Sequence, residues 1–311
     1  MGIRELKQSA NAALQAQPKT RQLALLHTGV LLIASLLLSL VQYLISLAIQ
    51  DMSGIGAMGQ RAALQTIPKI LQMAVLTLSP FWSFGILQVA LQISRSETPN
   101  ASSLLAGFRR WGPLLRYMIT TAITCLGLMM ATSWSLTFLY MLTPFGMNLQ
   151  EKLLPMMEQA QTDPAAMEAL TLAVVKDLWP LYLLIVLDAL VLIILYFYRI
   201  RLAPYLIMEG ENRARYAIAK SRFAMRGNRV WWFKLDLSFW WYYGLQVLAV
   251  GLSYGDLLFG KNDLAFWVFY ALSLLAQLII AWLFIGKVET TYAMAYQSLK
   301  PQIPNENTSQ S

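Results

Sequence analysis

The chain has 311 residues, of which 57% are apolar and 13% are charged, and its formal net charge is +8. Soluble domains carry about 25% charged residues, so this composition excludes a soluble globular protein. The basic residues lie between apolar stretches and form no single patch, which favours contact with anionic lipid head groups and argues against a nucleic-acid partner.

Six stretches of about twenty residues avoid charged side chains almost completely, as helices that cross a bilayer must. The first follows a polar start and is longer than the ~7–15 apolar residues of a signal peptide, so we expect it to be retained. The chain is therefore predicted to be an all-α membrane protein with six transmembrane helices and short amphipathic cytoplasmic helices. The spans cover about residues 23–49, 70–94, 117–142, 178–198, 231–253 and 264–286.

The apolar stretches run almost end to end and leave no second polar block of domain size. Residues 1–300 are therefore predicted to form a single polytopic membrane domain. Residues 301–311 are rich in Asn, Gln and Ser, and we expect them to form a disordered tail.

Proline marks two places in the predicted helices. Pro80 lies inside the second span, where it removes one backbone hydrogen bond and should kink the helix. A discontinuous helix can mark a transport site, although a structural kink is the commoner interpretation. In the third connection, over residues 143–177, Thr162-Asp163-Pro164 predicts the start of a short helix that leads towards the fourth span.

Lysine and arginine are distributed unequally across the predicted membrane. Eighteen of these residues fall on the side that holds both termini, and five fall on the opposite side. Because cytoplasmic connections carry the excess of Lys and Arg in membrane proteins, both termini are predicted to lie in the cytoplasm.

Three of the cytoplasmic segments each carry an apolar edge. The edges are formed by Ile3, Leu6, Ala10, Ala13 and Leu14 before the first span, by Leu104, Leu105 and Phe108 before the third, and by Ala214, Ile218 and Met225 before the fifth. We predict that each segment is an amphipathic helix that lies in the membrane interface and leads into a pair of spans.

An arginine stripe accompanies the last of these edges. Arg215, Arg222 and Arg226 are spaced i, i+7 and i+11, so they share one side of a helix that Gly227 should end. Each such positive charge contributes about 1 kcal/mol to binding an anionic membrane surface. We therefore predict that these three arginines bind anionic lipid head groups, with a membrane protein partner as the alternative.

Asp188 interrupts the fourth span near the predicted centre of the bilayer. An ionised carboxylate there costs at least ~2.5–3.5 kcal/mol, so Asp188 must face protein or water or be protonated. Gln277 lies at a similar depth in the sixth span, and we predict a direct or water-mediated hydrogen bond between the two side chains. The pair is either a proton or cation site or a protonated carboxyl that joins two helices.

Asp236 is the second candidate for a functional carboxylate. It lies near the predicted cytoplasmic boundary of the fifth span, among aromatic residues that are typical of an interfacial belt. Its short side chain cannot reach the lipid head groups as a lysine can. We therefore expect a hydrogen bond from a neighbouring helix or a cytoplasmic arginine.

Three runs around the fourth connection and the fifth span are distinctive, and they cover residues 203–208, 217–229 and 233–239. Ser221, Met225, Gly227 and the run Leu-Asp-Leu-Ser-Phe within them resemble the bacterial integral membrane proteins grouped as domain-of-unknown-function family 975. The opening Ile-Arg-Glu-Leu-Lys at residues 3–7 is similar to the start of that family. The resemblance implies a multi-spanning protein of the bacterial cytoplasmic (inner) membrane without an established activity.

The sequence lacks the residue sets on which most enzymes depend. Cys125 and His27 are the only residues of their types, so a metal site or catalytic triad built on them would lack partners. We predict no catalytic residue, cofactor or metal, and a protein that is not an enzyme. The favoured function is a non-enzymatic membrane scaffold, assembly or regulatory component. The alternative is a small-solute or ion transporter, or a channel-like protein, that uses Asp188.

Overall fold

The computed structural model describes residues 2–50, 52, 57–148, 151–152, 156, 164–254 and 263–303, and every regular element in these ranges is helical. The principal helices are α1 (Ile3–Ala16), α2 (Lys19–Gln50), α3 (Ala57–Ser94), α4 (Ala106–Arg109), α5 (Trp111–Met141), α6 (Pro164–Ile200), α7 (Ala203–Glu209), α8 (Ala214–Ala224), α9 (Arg229–Leu237), α10 (Trp240–Leu252), α11 (Asp263–Ile280) and α12 (Gly286–Leu299). A 3₁₀ turn over Ala101–Leu105 precedes α4, and another over Lys300–Gln302 follows α12.

The chain divides into two compact units. Unit 1 is formed by Met1–Leu115 together with Leu202–Ser311, and unit 2 is formed by Arg116–Arg201. Helix α5 begins in unit 1 and continues into unit 2, which also contains α6. Helices α1 to α4 and α7 to α12 belong to unit 1.

Five helical segments are long and apolar enough to cross a membrane. Within the described residues they are Lys19–Gln50, Gly59–Ser94, Trp111–Met141, Leu178–Glu209 and Phe266–Gln302. About twenty helical residues cover the ~30 Å hydrocarbon core of a bilayer. These segments contain five of the six predicted spans to within two residues at the ends of the spans. Their length and composition are those of a multi-pass membrane protein.

The predicted span over residues 231–253 is not one continuous helix, so the predicted count of six is not confirmed. Helix α9 ends at Leu237 and α10 begins at Trp240, with a turn between them. Helix α10 has 13 residues, which cover only about 20 Å of a ~30 Å hydrocarbon core. The turn is held by tertiary contacts from Lys7 and Tyr292, which are described below and which the local apolar pattern does not reveal.

The other predicted spans lie in helices that extend beyond them. Helix α3 continues through Pro80, and a kink there stays a prediction. Helix α6 begins at Pro164, where the sequence predicts a helix start, and runs without interruption through the fourth span. Helices α11 and α12 are joined by a π-helical turn over Ala281–Ile285. The helical segment that contains the sixth predicted span therefore continues to Leu299. Thr162, Asp163 and residues 304–311 of the predicted tail lie outside the described residues.

The buried core of unit 1 lies at one end of its long helices. A central cluster joins the start of α2, the end of α3 and the first 3₁₀ turn, and it consists of Leu23, Ala24, Ile86, Val89, Ile93 and Leu104. Helix α1 packs on this cluster through Ala13 and Leu14. We call this part of unit 1 the basic end, because the connections richest in Lys and Arg adjoin it; it comprises α1, α4, α7 to α9, α12, the start of α2 and the end of α3.

Two glycines allow α3 and the segment after it to approach closely. A Cβ atom added at Gly85 would lie 2.7 Å from the Cα atom of Leu104, and one added at Gly107 would lie 2.9 Å from the carbonyl carbon of Phe81. Both neighbouring atoms belong to the backbone and cannot rotate away. The fold therefore requires glycine at these positions, as is common where helices pack closely in membranes.

The apolar edges of the three amphipathic segments are mostly covered by the protein itself, which corrects the prediction that they lie in the membrane interface. Leu105 is the exception and is 46% exposed. Leu6 in α1, Leu104 before α4 and Met225 after α8 are each 0% exposed. Helix α1 packs against α12 and α3, and α8 packs against α7. These side chains are removed from water by protein contacts, so lipid is not needed to bury them.

Away from the basic end, the long helices direct large apolar side chains outward. Ile33, Leu37 and Leu44 in α2, and Met73 and Leu76 in α3, each expose more than half of their surface. A soluble monomer rarely carries a continuous apolar surface of this kind. Such surfaces suit contact with lipid tails or with the spans of another membrane protein.

Candidate functional site

Glu209 is the centre of a polar cluster at the basic end. Its carboxylate accepts hydrogen bonds from the Tyr296 hydroxyl at 2.6 Å and from the Gln297 amide at 3.3 Å. Arg95 forms an ion pair with one carboxylate oxygen, and Lys300 forms a second with the other at 2.9 Å. The Glu209 side chain is only 11% exposed, so these partners replace most of the water that would otherwise solvate the charge.

The ends of three helices bring this cluster together. Arg95 follows α3, Glu209 ends α7, and Tyr296 lies near the end of α12. Gly210 has a φ angle of +127°, which favours glycine, and it ends α7 directly after Glu209. One helical turn earlier, the Tyr205 ring stacks on Tyr296 with ring centroids 5.0 Å apart. The cluster therefore fixes α3, α7 and α12 to one another.

Glu209 is not among the sequence-predicted site residues. In the sequence it is one of two acidic residues in a connection, residues 199–229, that carries eight Lys and Arg residues. Two acids in such a basic segment are the available signal for an ion pair. Its partner Arg95 is 114 positions away in the sequence, so local spacing could not have identified the pair.

Asp236 takes part in a second polar contact, which joins α9, α10 and α12. The Tyr292 hydroxyl donates a hydrogen bond to the Asp236 carboxylate, and the hydroxyl oxygens of Tyr292 and Tyr243 are 2.6 Å apart. The Trp232 ring stacks on Tyr292 with centroids 5.7 Å apart. The bond from α12 is the kind of helix-to-helix hydrogen bond that the sequence predicts for this carboxylate.

Lys7 fixes α1 to the turn between α9 and α10. Its Nζ atom donates to the Ser238 carbonyl at 2.7 Å and lies 3.9 Å from the centroid of the Phe239 ring. Burial lowers the pKa of the Lys7 ammonium from its ordinary value of 10.5. The amino-terminal helix is thus packed into the basic end and stabilises the interruption of the predicted fifth span.

The predicted arginine stripe lies on the outer surface of the basic end. Arg215, Arg222 and Arg226 all have exposed side chains. The first two lie on α8, and Arg226 follows it in the turn that contains Gly227, whose φ angle is +82°. The helix therefore ends before Gly227, as predicted. Because Ala214, Ile218 and Met225 are buried, a lipid contact at this surface depends mainly on the three charges.

Asp188 and Gln277 belong to different units of the chain, in α6 and α11. The Oδ2 atom of Asp188 is shielded from solvent and has no hydrogen-bond partner among the described residues. The Gln277 amide donates to the Ser273 hydroxyl at 3.1 Å, and that hydroxyl donates to the Ala249 carbonyl at 2.7 Å. A hydrogen bond between Asp188 and Gln277 stays a prediction.

The Glu209 and Asp236 clusters share one kind of chemistry. In each, a carboxylate accepts a hydrogen bond from a tyrosine hydroxyl, and the Glu209 cluster adds two cations. Interactions of this kind join helices firmly when they are shielded from water. In the part of the chain that the structure describes, no group of three or more His, Cys, Asp or Glu side chains is placed to hold a metal ion. The arrangement favours a structural role at the basic end.

The chain matches one protein family over nearly its whole length. The model of the family described as "Protein of unknown function (DUF975)" covers residues 1–302. The chain belongs to this family. The family resemblance predicted from the sequence is thereby confirmed. Comparisons with curated proteins and with solved structures find no match.

Residues that carry the family resemblance have structural positions in this DUF975 protein. The Ser221 hydroxyl is buried and accepts a hydrogen bond from the Leu202 backbone N–H at 3.0 Å. Met225 lies in the core, and Gly227 supplies the positive φ angle after α8. Asp236 connects α9 to α12. These positions of the DUF975 protein therefore fix how α7, α8 and α9 pack.

Proposed function

We propose that this DUF975 protein is a non-enzymatic scaffold, assembly or regulatory component of a bacterial cytoplasmic membrane. In this proposal, both termini and the basic end lie at the cytoplasmic surface. The proposal rests on the contrast between the basic end and the long helices of unit 1. The side chains of the basic end pack against one another, whereas the long helices direct large apolar side chains outward. Those outward surfaces are available to lipid and to the spans of a partner protein.

The polar clusters support a scaffold because they hold helix ends in one arrangement. Glu209 connects α3, α7 and α12, and Asp236 connects α9 and α12. Transport by alternating access requires helices or bundles to move relative to one another. A helix end that is held by ion pairs and several hydrogen bonds resists such movement.

The charge of the basic end supports its position at the cytoplasmic surface. Eighteen of the 24 Lys and Arg residues fall on its side of the predicted membrane, and cytoplasmic connections carry this excess. Trp111, which begins α5 beside two arginines, is 62% exposed. Exposed tryptophan is typical of the boundary between lipid and water.

Asp188 favours a second function, a small-solute or ion transporter or a channel-like protein. Its Oδ2 atom is shielded without a hydrogen-bond partner among the described residues. A carboxylate in this situation inside a span is costly, and it is common on proton and cation pathways. This alternative needs a solute, whereas the scaffold needs a protein partner, so one experiment distinguishes the two.

Extraction from native membranes with a styrene–maleic acid copolymer tests both functions, because the copolymer retains neighbouring proteins and lipids. For a scaffold, we expect a specific membrane protein to co-purify in near-stoichiometric amount with the wild type and with Asp188→Asn. Recovery of the chain alone would contradict the scaffold.

A flux assay in reconstituted vesicles tests the transporter. Transport would be established by proton- or ion-coupled flux that is lost in Asp188→Asn and kept in Glu97→Gln, an exposed carboxylate control.

Anionic lipid is expected to stabilise the protein through the arginine stripe. Replacing Arg215, Arg222 and Arg226 with glutamine should remove up to about 3 kcal/mol of attraction, at about 1 kcal/mol per charge. We would measure the melting temperature in nanodiscs as the fraction of phosphatidylglycerol increases. The rise seen for the wild type should largely disappear in the triple variant at low salt, where surface charges are least screened.

The control for this prediction removes the same charge from the other predicted side. Arg61, Lys69 and Lys152 all lie there, and their replacement with glutamine should leave the lipid-dependent rise intact. An equal loss in both triple variants would mean that the net charge, and not the stripe, determines the response.

A further inference from the structure

A cavity of about 380 Å³ opens at the basic end. This volume is within the ~300–1,000 Å³ that small-molecule sites occupy. Side chains from α3, α4, α5 and α7 and from the connection after α7 surround it, and the lining consists of Gln88, Ala106, Arg109, Arg110, Pro113, Met208 and Asn212. All of these residues belong to unit 1.

The cavity carries two adjacent positive charges from Arg109 and Arg110. Arg110 donates one hydrogen bond to the Asn212 side-chain oxygen at 3.4 Å, which uses one of the five N–H donors of its guanidinium. No carboxylate is among the described residues that line the cavity. Glu209, directly before the connection that contains Asn212, is already paired with Arg95 and Lys300. The cavity therefore favours an anion.

Gln88 adds a hydrogen-bond acceptor to this basic cavity. Its Oε1 atom is shielded from solvent, and it has no hydrogen-bond partner within the described part of the chain. A shielded polar atom without a partner costs about 1–3 kcal/mol. If the amide turns its oxygen towards the cavity, a bound hydroxyl or ammonium group can donate the missing hydrogen bond and remove this cost. The cavity is thus suited to an anion that carries a donor nearby.

We infer that the cavity binds a phosphate ester whose other end carries a hydroxyl or ammonium group. The two guanidinium groups hold the phosphate oxygens through charge-assisted hydrogen bonds, and Gln88 accepts a hydrogen bond from the donor. Glycerol and ethanolamine phospholipids have this head-group chemistry, and so do the free phosphates of glycerol and ethanolamine. The site is separate from the Arg215, Arg222 and Arg226 stripe and does not depend on the scaffold role.

Calorimetric titration of the detergent-purified protein with glycerol 3-phosphate tests the free ester. Native mass spectrometry of the same preparation, after addition of phosphatidylglycerol, tests the lipid. One of these probes should bind to the wild type. We expect Arg109→Gln/Arg110→Gln to bind the same probe about tenfold or more weakly, because two charge-assisted contacts are lost. The control Arg4→Gln/Lys19→Gln removes the same charge from exposed positions outside the cavity and should bind like the wild type.

Gln88→Leu tests the hydrogen-bond acceptor of the site without changing the charge of the site. This variant should weaken glycerol 3-phosphate binding about threefold to tenfold, because one hydrogen bond is lost. Binding of sulfate, which has no hydrogen-bond donor at neutral pH, should not change. Equal binding of glycerol 3-phosphate by Gln88→Leu and the wild type would overturn the role of Gln88. This variant also serves if the double arginine variant does not fold.

The outcomes separate the two ligand sources from failure of the site. Binding of phosphatidylglycerol but not of glycerol 3-phosphate assigns the cavity to a lipid head group, and the reverse assigns it to a free ester. If the wild type binds neither phosphatidylglycerol nor glycerol 3-phosphate, the inference is wrong. The same is true if both double variants lose binding equally, because attraction would then depend only on net charge.

Discussion

Replacing Glu209 with glutamine is expected to lower the free energy of unfolding by about 2–3 kcal/mol. Glutamine keeps the size of the side chain but leaves Arg95 and Lys300 without a counter-charge. Removing one member of a buried ion pair costs about 3–5 kcal/mol. We expect less here, because the side chains of Arg95 and Lys300 are 34% and 48% exposed and regain some water.

Thermal unfolding in detergent, followed by tryptophan fluorescence, would measure the effect of Glu209→Gln. The ten tryptophans include the buried Trp232 of the basic end, so the signal reports on the affected region. A loss of 2–3 kcal/mol corresponds to a fall of roughly 5–10 °C in the melting temperature. The control Glu97→Gln changes an exposed carboxylate and should shift the melting temperature little. An equally small shift for Glu209→Gln would show that the cluster contributes no stability.

Gly107→Ala is expected to destabilise the basic end by about 2–4 kcal/mol, although it adds a single methyl group. The added Cβ atom would lie 2.9 Å from the carbonyl carbon of Phe81, well inside van der Waals contact. Because the obstructing atom is backbone, either α4 or α3 must shift. The shift would disturb Leu104 and its neighbours in the core. Lower yield and a lower melting temperature should both be observed.

Gly112→Ala is the matched control for the tight glycine contact. Gly112 lies five residues further along, at the start of α5, and an added Cβ atom there has no neighbour within 4 Å. Because alanine favours a helix more than glycine does, this change should be neutral or slightly stabilising. If Gly107→Ala were as stable as Gly112→Ala, the close approach of α3 and α4 would not exist in the folded protein.

Five of the six spans could be predicted because hydrocarbon imposes a strong and local requirement. A segment that crosses a bilayer must avoid charge for about twenty residues, and this property can be read from the sequence without any knowledge of partners. The span over 231–253 meets this requirement less well, because it carries Lys234 and Asp236 near its start, and it is divided after Leu237. The contacts of Lys7 and Tyr292 at this turn come from distant parts of the chain.

The amphipathic segments show a second limit of the sequence. An apolar edge at helical spacing indicates that one face is removed from water, but lipid and protein are equally apolar surroundings. Leu6, Leu104 and Met225 are buried, as the spacing predicts, but protein and not lipid covers them. The exposed positions of Arg215, Arg222 and Arg226 agree with the polar side of the same pattern.

The order of residues is enough to predict a helical protein with long membrane-compatible spans, and it is enough to identify the family. Both depend on local composition and short runs, since the free energy of placing a residue in hydrocarbon depends mainly on that residue. The packing of the folded chain, in contrast, identifies Glu209 as the centre of a cluster and places Arg109 and Arg110 beside Gln88. These groups meet through helix ends that are far apart in the sequence, and the packing of glycine and apolar side chains at the basic end decides which ends meet.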